Sequence, residues 1–87
     1  MNLTHKQSFM ENIKLKFFGQ LVEITGVTDL HIPFIADTTA LIQSINKTFP
    51  ELKQSPYRLA VNMKVIQGNV QLQPGSEVAF LPPFAGG

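Results

Sequence analysis

The sequence predicts an α+β fold: a mixed sheet of four to five strands with one main helix packed across it. Three observations predict it. Apolar residues alternate with polar ones over residues 13–17 and 28–34, and a further short run closes the chain at 77–81, the pattern of half-buried strands. A single segment, opened by Asp37-Thr38-Thr39, repeats its apolar residues at helical spacing. Pro and Gly separate these segments. At 87 residues with no internal repeat, the chain is read as one domain, large enough for one thin core.

Each element has a local reason. Residues 1–11 are polar and aperiodic and read as a flexible leader, ahead of a domain over 12–81 and an extended tail over 82–87. In the first strand Ile13, Leu15 and Phe17 face the core, and Phe18 breaks the alternation towards solvent. Gln20 to Thr25 makes one or two turns of helix with Gly26 past its end. In the segment 28–34, Leu30, Ile32 and Phe34 share one side, and Pro33, which has no N–H, places the strand at a sheet edge. Asp37 is the expected N-cap of the main helix, which buries Leu41, Ile42, Ile45 and Phe49 and stops at Pro50. Residues 51–56 read as a polar loop. Tyr57 to Val61 reads as a strand, Asn62-Met63-Lys64 as a turn, Val65 to Gln67 as a short return, and Pro74-Gly75 as the turn before the last strand. In that strand Val78 and Phe80 share one face, Ala79 and Leu81 the other, and Pro82-Pro83 ends it. This order allows the last strand to lie beside the first, which makes a β-grasp, or ubiquitin-like, sheet. Other strand orders fit the same pattern.

Composition excludes several functions. Seven Lys and Arg against six Asp and Glu leave a net charge of +1, too little to draw in a nucleic-acid backbone or an anionic membrane. No apolar run approaches the ~20 residues of a membrane span, and the first residues lack the apolar core of a secretory signal. A cytoplasmic location is therefore expected. With no cysteine there is no thiolate nucleophile, and His5 and His31 do not form a ligand pattern, so no metal is expected. No Ser elbow or phosphate-binding Gly loop occurs. His31 reads as a surface histidine, and Lys14 and Lys16 as the polar face of a strand.

The tail is what remains. A terminal Gly-Gly arises by chance in about 0.5% of chains. Pro82-Pro83 gives a stiff, extended exit. Phe84 sits on a tail too short to fold back far, and so calls for a pocket on another protein. Gly86 and Gly87 offer only backbone to a narrow channel. Extended, residues 82–87 reach up to ~20 Å. Such a tail suits delivery of a carboxylate into another protein's active site. Since a carboxylate is a poor electrophile, it reacts only once activated, for example as an acyl adenylate. A sulfur nucleophile then displaces AMP and leaves a thiocarboxylate.

The stretch Glu77 to Gly87, with Pro82-Pro83-Phe84-Ala85-Gly86-Gly87 at its end, resembles the C-terminus of the small subunit of molybdopterin synthase, the MoaD sulfur-carrier family. The run Ile13 to Gly26 resembles that family's first strand and turn. Ala60-Val61-Asn62 and Pro74-Gly75 agree with its middle, so the resemblance covers about residues 12–87. Many members carry Arg where Val22 stands and an acidic residue where Ser76 stands. The resemblance implies a carrier that is not catalytic alone and holds no permanent cofactor. An E1-like adenylating enzyme uses ATP to form the Gly87 adenylate, and a sulfur donor protein converts it to the thiocarboxylate. The carrier then docks on the large synthase subunit, commonly as a heterotetramer, and passes sulfur to cyclic pyranopterin monophosphate. Gly87 is then the reacting residue and Gly86 serves threading.

The residues supply a docking surface independently. Phe18 and Leu81 are large and apolar on the outward faces of the first and last strands, and become one patch if those strands are neighbours, with Val65 as a further member. With Pro82, Pro83, Phe84 and Ala85 they form the expected partner-binding set. Three other functions compete: a sulfur carrier for thiazole synthesis or tRNA thiolation, a ubiquitin-like modifier of protein lysines, and an interaction module with an inert tail.

Overall fold

The computed structural model describes residues 12–83. The expected leader, residues 1–11, and the tail residues Phe84, Ala85, Gly86 and Gly87 lie outside the described residues. The chain runs β1 (Asn12–Phe17), α1 (Gln20–Thr25), β2 (Asp29–Pro33), α2 (Thr38–Thr48), a 3-10 turn (Pro50–Gln54), β3 (Arg58–Val61), β4 (Lys64–Val65) and β5 (Glu77–Leu81). The sheet order is β2-β1-β5-β3-β4. β1 and β5 pair in parallel, from Lys14 opposite Glu77 to Phe17 opposite Phe80. Every other pairing is antiparallel. The expected neighbouring of first and last strands is therefore found, and Pro33 lies on an edge strand as expected.

The alternation of β1 and β5 explains the layers. Ile13, Leu15, Phe17, Val78 and Phe80 are buried on one face, where they meet Leu21 of α1, Leu41 and Ile45 of α2, Leu52 and Leu59. Phe17 stacks on Phe80 with ring centroids 4.9 Å apart, and Tyr57 tilts against Phe80 at 5.2 Å. Phe49 closes the far side edge-on to Phe17 at 6.1 Å. Three expectations are corrected. Residues 50–54 form a 3-10 turn, with Pro50 at its first position and Leu52 buried, because the apolar gap below α2 needs filling. Phe34 leaves the strand after Pro33 and is exposed. The return strand is only Lys64–Val65, since Asn62 and Met63 at φ 49° and 74° make a two-residue hairpin loop of the kind whose twist matches the strands.

Two caps fix the connections. Asp37 accepts from the Ala40 amide at 2.9 Å, as its N-cap position requires. The second cap comes from distant sequence: Asn69 Oδ1 accepts from the Thr39 amide at 2.8 Å. Beside it, buried Thr38 accepts from the Val70 amide through its hydroxyl at 2.9 Å, and the Thr38 amide donates to the Val70 carbonyl at 2.9 Å. The segment between β4 and β5 is thereby tied to the start of α2, and it buries Leu72. Gln73-Pro74-Gly75-Ser76 then turns, with Gly75 at φ 88° and the Ser76 amide donating to the Gln73 carbonyl at 2.9 Å. Ser76 is itself buried, and its hydroxyl accepts from the Gln73 amide at 2.9 Å, an acceptor role an acidic side chain also fills.

Two measurements check this account. Phe80→Ala removes a fully buried ring that touches two others and is expected to cost about 3–5 kcal/mol in urea unfolding. Thr38→Val keeps the shape and leaves the Val70 amide without its acceptor. It is expected to cost about 1–3 kcal/mol, and to speed hydrogen exchange at Val70.

Candidate functional site

The outward face of the sheet follows from strand parity. β1 offers Lys14, Lys16 and then Phe18, β5 offers Glu77, Ala79 and Leu81, and β3 offers Arg58 and Ala60. Registry arranges them in rows. His31, Lys14 and Glu77 form the first row. Asp29, Lys16, Ala79, Ala60 and Val65 form the second. Phe18 and Leu81 stand one step beyond the Phe17–Phe80 pair, with Arg58 opposite Leu81.

The structure thus brings Phe18 and Leu81 to the same end of adjacent strands. The Phe18 amide donates to the Phe80 carbonyl at 3.2 Å, so the ladder continues up to the patch. Phe18 is 44% exposed and Val65 56%, whereas Leu81 is half-buried. Val65 lies on the same face but apart: it belongs to the second row, two strands from β5, or roughly 10 Å away at ordinary strand spacing. The side chains between are Ala79 and Ala60, whose small size leaves a shallow apolar floor. Sequence reading put Ala79 on the same face as Leu81 but gave neither alanine a place in the patch. That they lie between Leu81 and Val65 follows only from the strand order.

The tail begins here. β5 ends at Leu81 because Pro82 cannot donate to a ladder; Pro82 and Pro83 are half-buried, and Pro82 lies against Gly19 in the β1–α1 turn. An open hollow of about 270 Å³ adjoins that turn, lined by Lys16, Phe17, Phe18, Gly19, Val22, Thr28 and Asp29. Val22 thus gives this hollow an apolar wall. On the sheet face, Lys16 stands opposite Ala79 and Arg58 opposite Leu81. Among the described residues no three of His, Asp and Glu stand close enough to hold a metal ion, and no helix is long and apolar enough to cross a membrane. The Tyr57 hydroxyl is pushed above its usual value of 10.0 by burial, on the opposite face from the patch. The arrangement offers an apolar, partly basic face from whose edge a stiff chain emerges.

Comparison with known proteins agrees with this architecture. The family model described as ThiS family matches residues 15–87. No curated protein matches the sequence. Among solved structures, a putative molybdopterin converting factor, subunit 1, from Pyrococcus furiosus is 24% identical, with a TM-score of 0.77 over 83% of this chain and 97% of that one. Small archaeal modifier protein 1 from Methanosarcina acetivorans is 22% identical, with a TM-score of 0.73 over 90% of this chain and 98% of that one. Its counterpart from Haloferax volcanii is 18% identical, with a TM-score of 0.71 over 87% and 99%. These likenesses establish the β-grasp fold. With that fold and with the match over residues 15–87, the chain belongs to the ThiS family.

Proposed function

We propose that this chain is the sulfur-carrier subunit of a molybdopterin synthase. The observation that carries the reading is the place where the tail starts: Pro82-Pro83 leaves β5 at the edge of the Phe18–Leu81 patch, so one docking event seats the patch and aims the tail. The ending Pro-Pro-Phe-Ala-Gly-Gly and the likeness to a putative molybdopterin converting factor subunit support the pterin route. The Gly87 carboxylate attacks the α-phosphorus of ATP on an adenylating enzyme and releases pyrophosphate. A hydrosulfide equivalent from a donor protein displaces AMP, leaving the thiocarboxylate. Phe84 and Ala85 then enter a channel of the large subunit, with Gly86 giving the backbone room. The thiocarboxylate sulfur passes to cyclic pyranopterin monophosphate, water cleaves the acyl link, and the carrier leaves as a carboxylate. Two loaded carriers serve each dithiolene. The chain works in the cytoplasm and holds no cofactor of its own.

A second reading is favoured by the two small archaeal modifier structures: the same adenylate is captured by a protein lysine and gives an isopeptide. The chemistry up to the adenylate is shared, so the product separates the two readings.

The terminal tryptic peptide runs from Val65 to Gly87 and contains no methionine. On protein from its native cell it is expected to show a gain of about 16 Da at Gly87, oxygen replaced by sulfur, which methionine oxidation cannot imitate. A permanently unmodified terminus, even after incubation with ATP, activating enzyme and sulfur donor, removes the carrier function. A lysine-linked ladder that disappears on deletion of Gly87 moves the modifier reading ahead. Phe18→Asp is expected to weaken binding to the large subunit about thirtyfold or more, as loss of an interface anchor does. Because Phe18 is 44% exposed, the same change is expected to shift folding by less than about 1 kcal/mol. Titration calorimetry beside urea unfolding reads both, and normal binding removes the patch from the interface.

A further inference from the structure

The tail leaves the domain past a glycine that has no room for a side chain. Gly19 has φ 59° and ψ −138°, a combination that side-chain-bearing residues avoid. A Cβ placed there would stand 2.7 Å from Cγ of Pro82, 3.7 Å from its Cδ and 3.9 Å from its Cβ. The first distance lies well inside van der Waals contact. The Pro82 ring closes on its own backbone nitrogen, so only a change of ring pucker, and no swing about χ1, can move Cγ away. Gly26, Gly68 and Gly75 also have positive φ, but nothing lies within 4 Å of where their Cβ would be. The left-handed backbone is all those three positions require, whereas Gly19 also has a neighbour in the space of its missing side chain.

We propose that Gly19 is a positioning residue for the tail: its missing side chain makes a seat for the Pro82 ring, and the seat sets the direction in which residues 83–87 leave the sheet. The inference rests on the carrier function proposed above. The seat is held from below. The Phe18 amide bonds the Phe80 carbonyl at 3.2 Å, the Leu21 amide bonds the Phe18 carbonyl at 3.1 Å, and the Val22 amide bonds the Gly19 carbonyl at 3.1 Å. The turn around Gly19 is therefore fixed relative to the end of β5. On the tail side, Pro82 has its φ locked, and Pro83 restricts the ψ of Pro82 to extended values. With the ring seated, free rotation begins only at Pro83. A tail that starts in a set direction loses less orientational freedom on entering a partner's channel.

The test is a cycle of full-length variants: wild type, Gly19→Ala, Pro82→Ala and the double variant. Carrier-dependent ATP–pyrophosphate exchange by the adenylating enzyme is read alongside thermal melting. Gly19→Ala is expected to raise KM for the carrier about tenfold or more, as small misplacements of a reacting group do, with kcat within about twofold. Pro82→Ala removes Cγ and Cδ and leaves the residue 82 Cβ at an ordinary 3.9 Å from a Cβ at position 19. In that background the added methyl is expected to raise KM by no more than about threefold. The double variant still melts as low as Gly19→Ala, because the backbone strain remains. A folded Gly19→Ala with unchanged KM, or the same rise in both backgrounds, overturns the proposal and leaves Gly19 a turn residue only. If Gly19→Ala does not fold, the wild-type nuclear Overhauser spectrum decides. A cross-peak between the Gly19 Hα and Pro82 Hγ protons sustains the seat, and its absence overturns it. If the wild-type chain itself supports no exchange, the carrier function falls, and the same cross-peak still decides the seat.

Discussion

The parallel pairing of β1 with β5 is the constraint on which the rest of the molecule depends. It joins residues 14–17 to residues 77–80 and places both strands in the middle of the sheet. Parallel neighbours are buried, and here one face carries Phe17 stacked on Phe80, the centre of the core. Because the two strands run in the same direction, they also finish at the same end. The chain entering α1 and the chain leaving the domain are then side by side, and Phe18, Gly19, Leu81 and Pro82 meet without any sequence proximity. Core, outward patch and tail exit are three consequences of one ladder.

That ladder joins the two ends of the described chain, so most of the loop entropy must be spent before it forms. The connecting segments are tied down accordingly. Asn62 binds the start of β5 twice, its amide donating to the Glu77 carbonyl at 2.8 Å and its side chain accepting from the Glu77 amide at 2.9 Å. Thr38 and Asn69 anchor the irregular run before β5 to the helix cap. The Lys14 amide donates to the Ser76 carbonyl, and the Gly75 amide to the Asn12 carbonyl. Each bond helps hold β5 in register against its neighbours.

What was legible in the sequence was what local rules govern. The parity of Ile13, Leu15 and Phe17, the cap at Asp37, the Gly26 stop and the edge position of Pro33 depend on residues a few places apart. They appear as expected. Leu52 was not legible, because a short polar run with one leucine has no period, and its burial is decided by the space beneath α2. Nor was the Thr38–Asn69–Val70 cluster, whose partners stand some thirty residues apart and whose residue types are common in any loop. The candidate site divides the same way. Phe18 and Leu81 were identifiable as outward residues, and the tail motif stood in plain view. That Ala60 and Ala79 separate them from Val65 depends on strand order, which no local pattern encodes.

The same ladder has a mechanical consequence. β1 begins at one end of the sheet and β5 finishes at the other, so a pull on the two outer ends draws the strands lengthwise past each other. Every hydrogen bond from Lys14–Glu77 to Phe17–Phe80 is then loaded together in shear. A hairpin pulled from its open end would instead lose its bonds singly, in sequence. The domain therefore resists being drawn out by its tail along this axis, and a motor that unfolds proteins by threading them from the C-terminus meets its strongest barrier at the first strand it reaches.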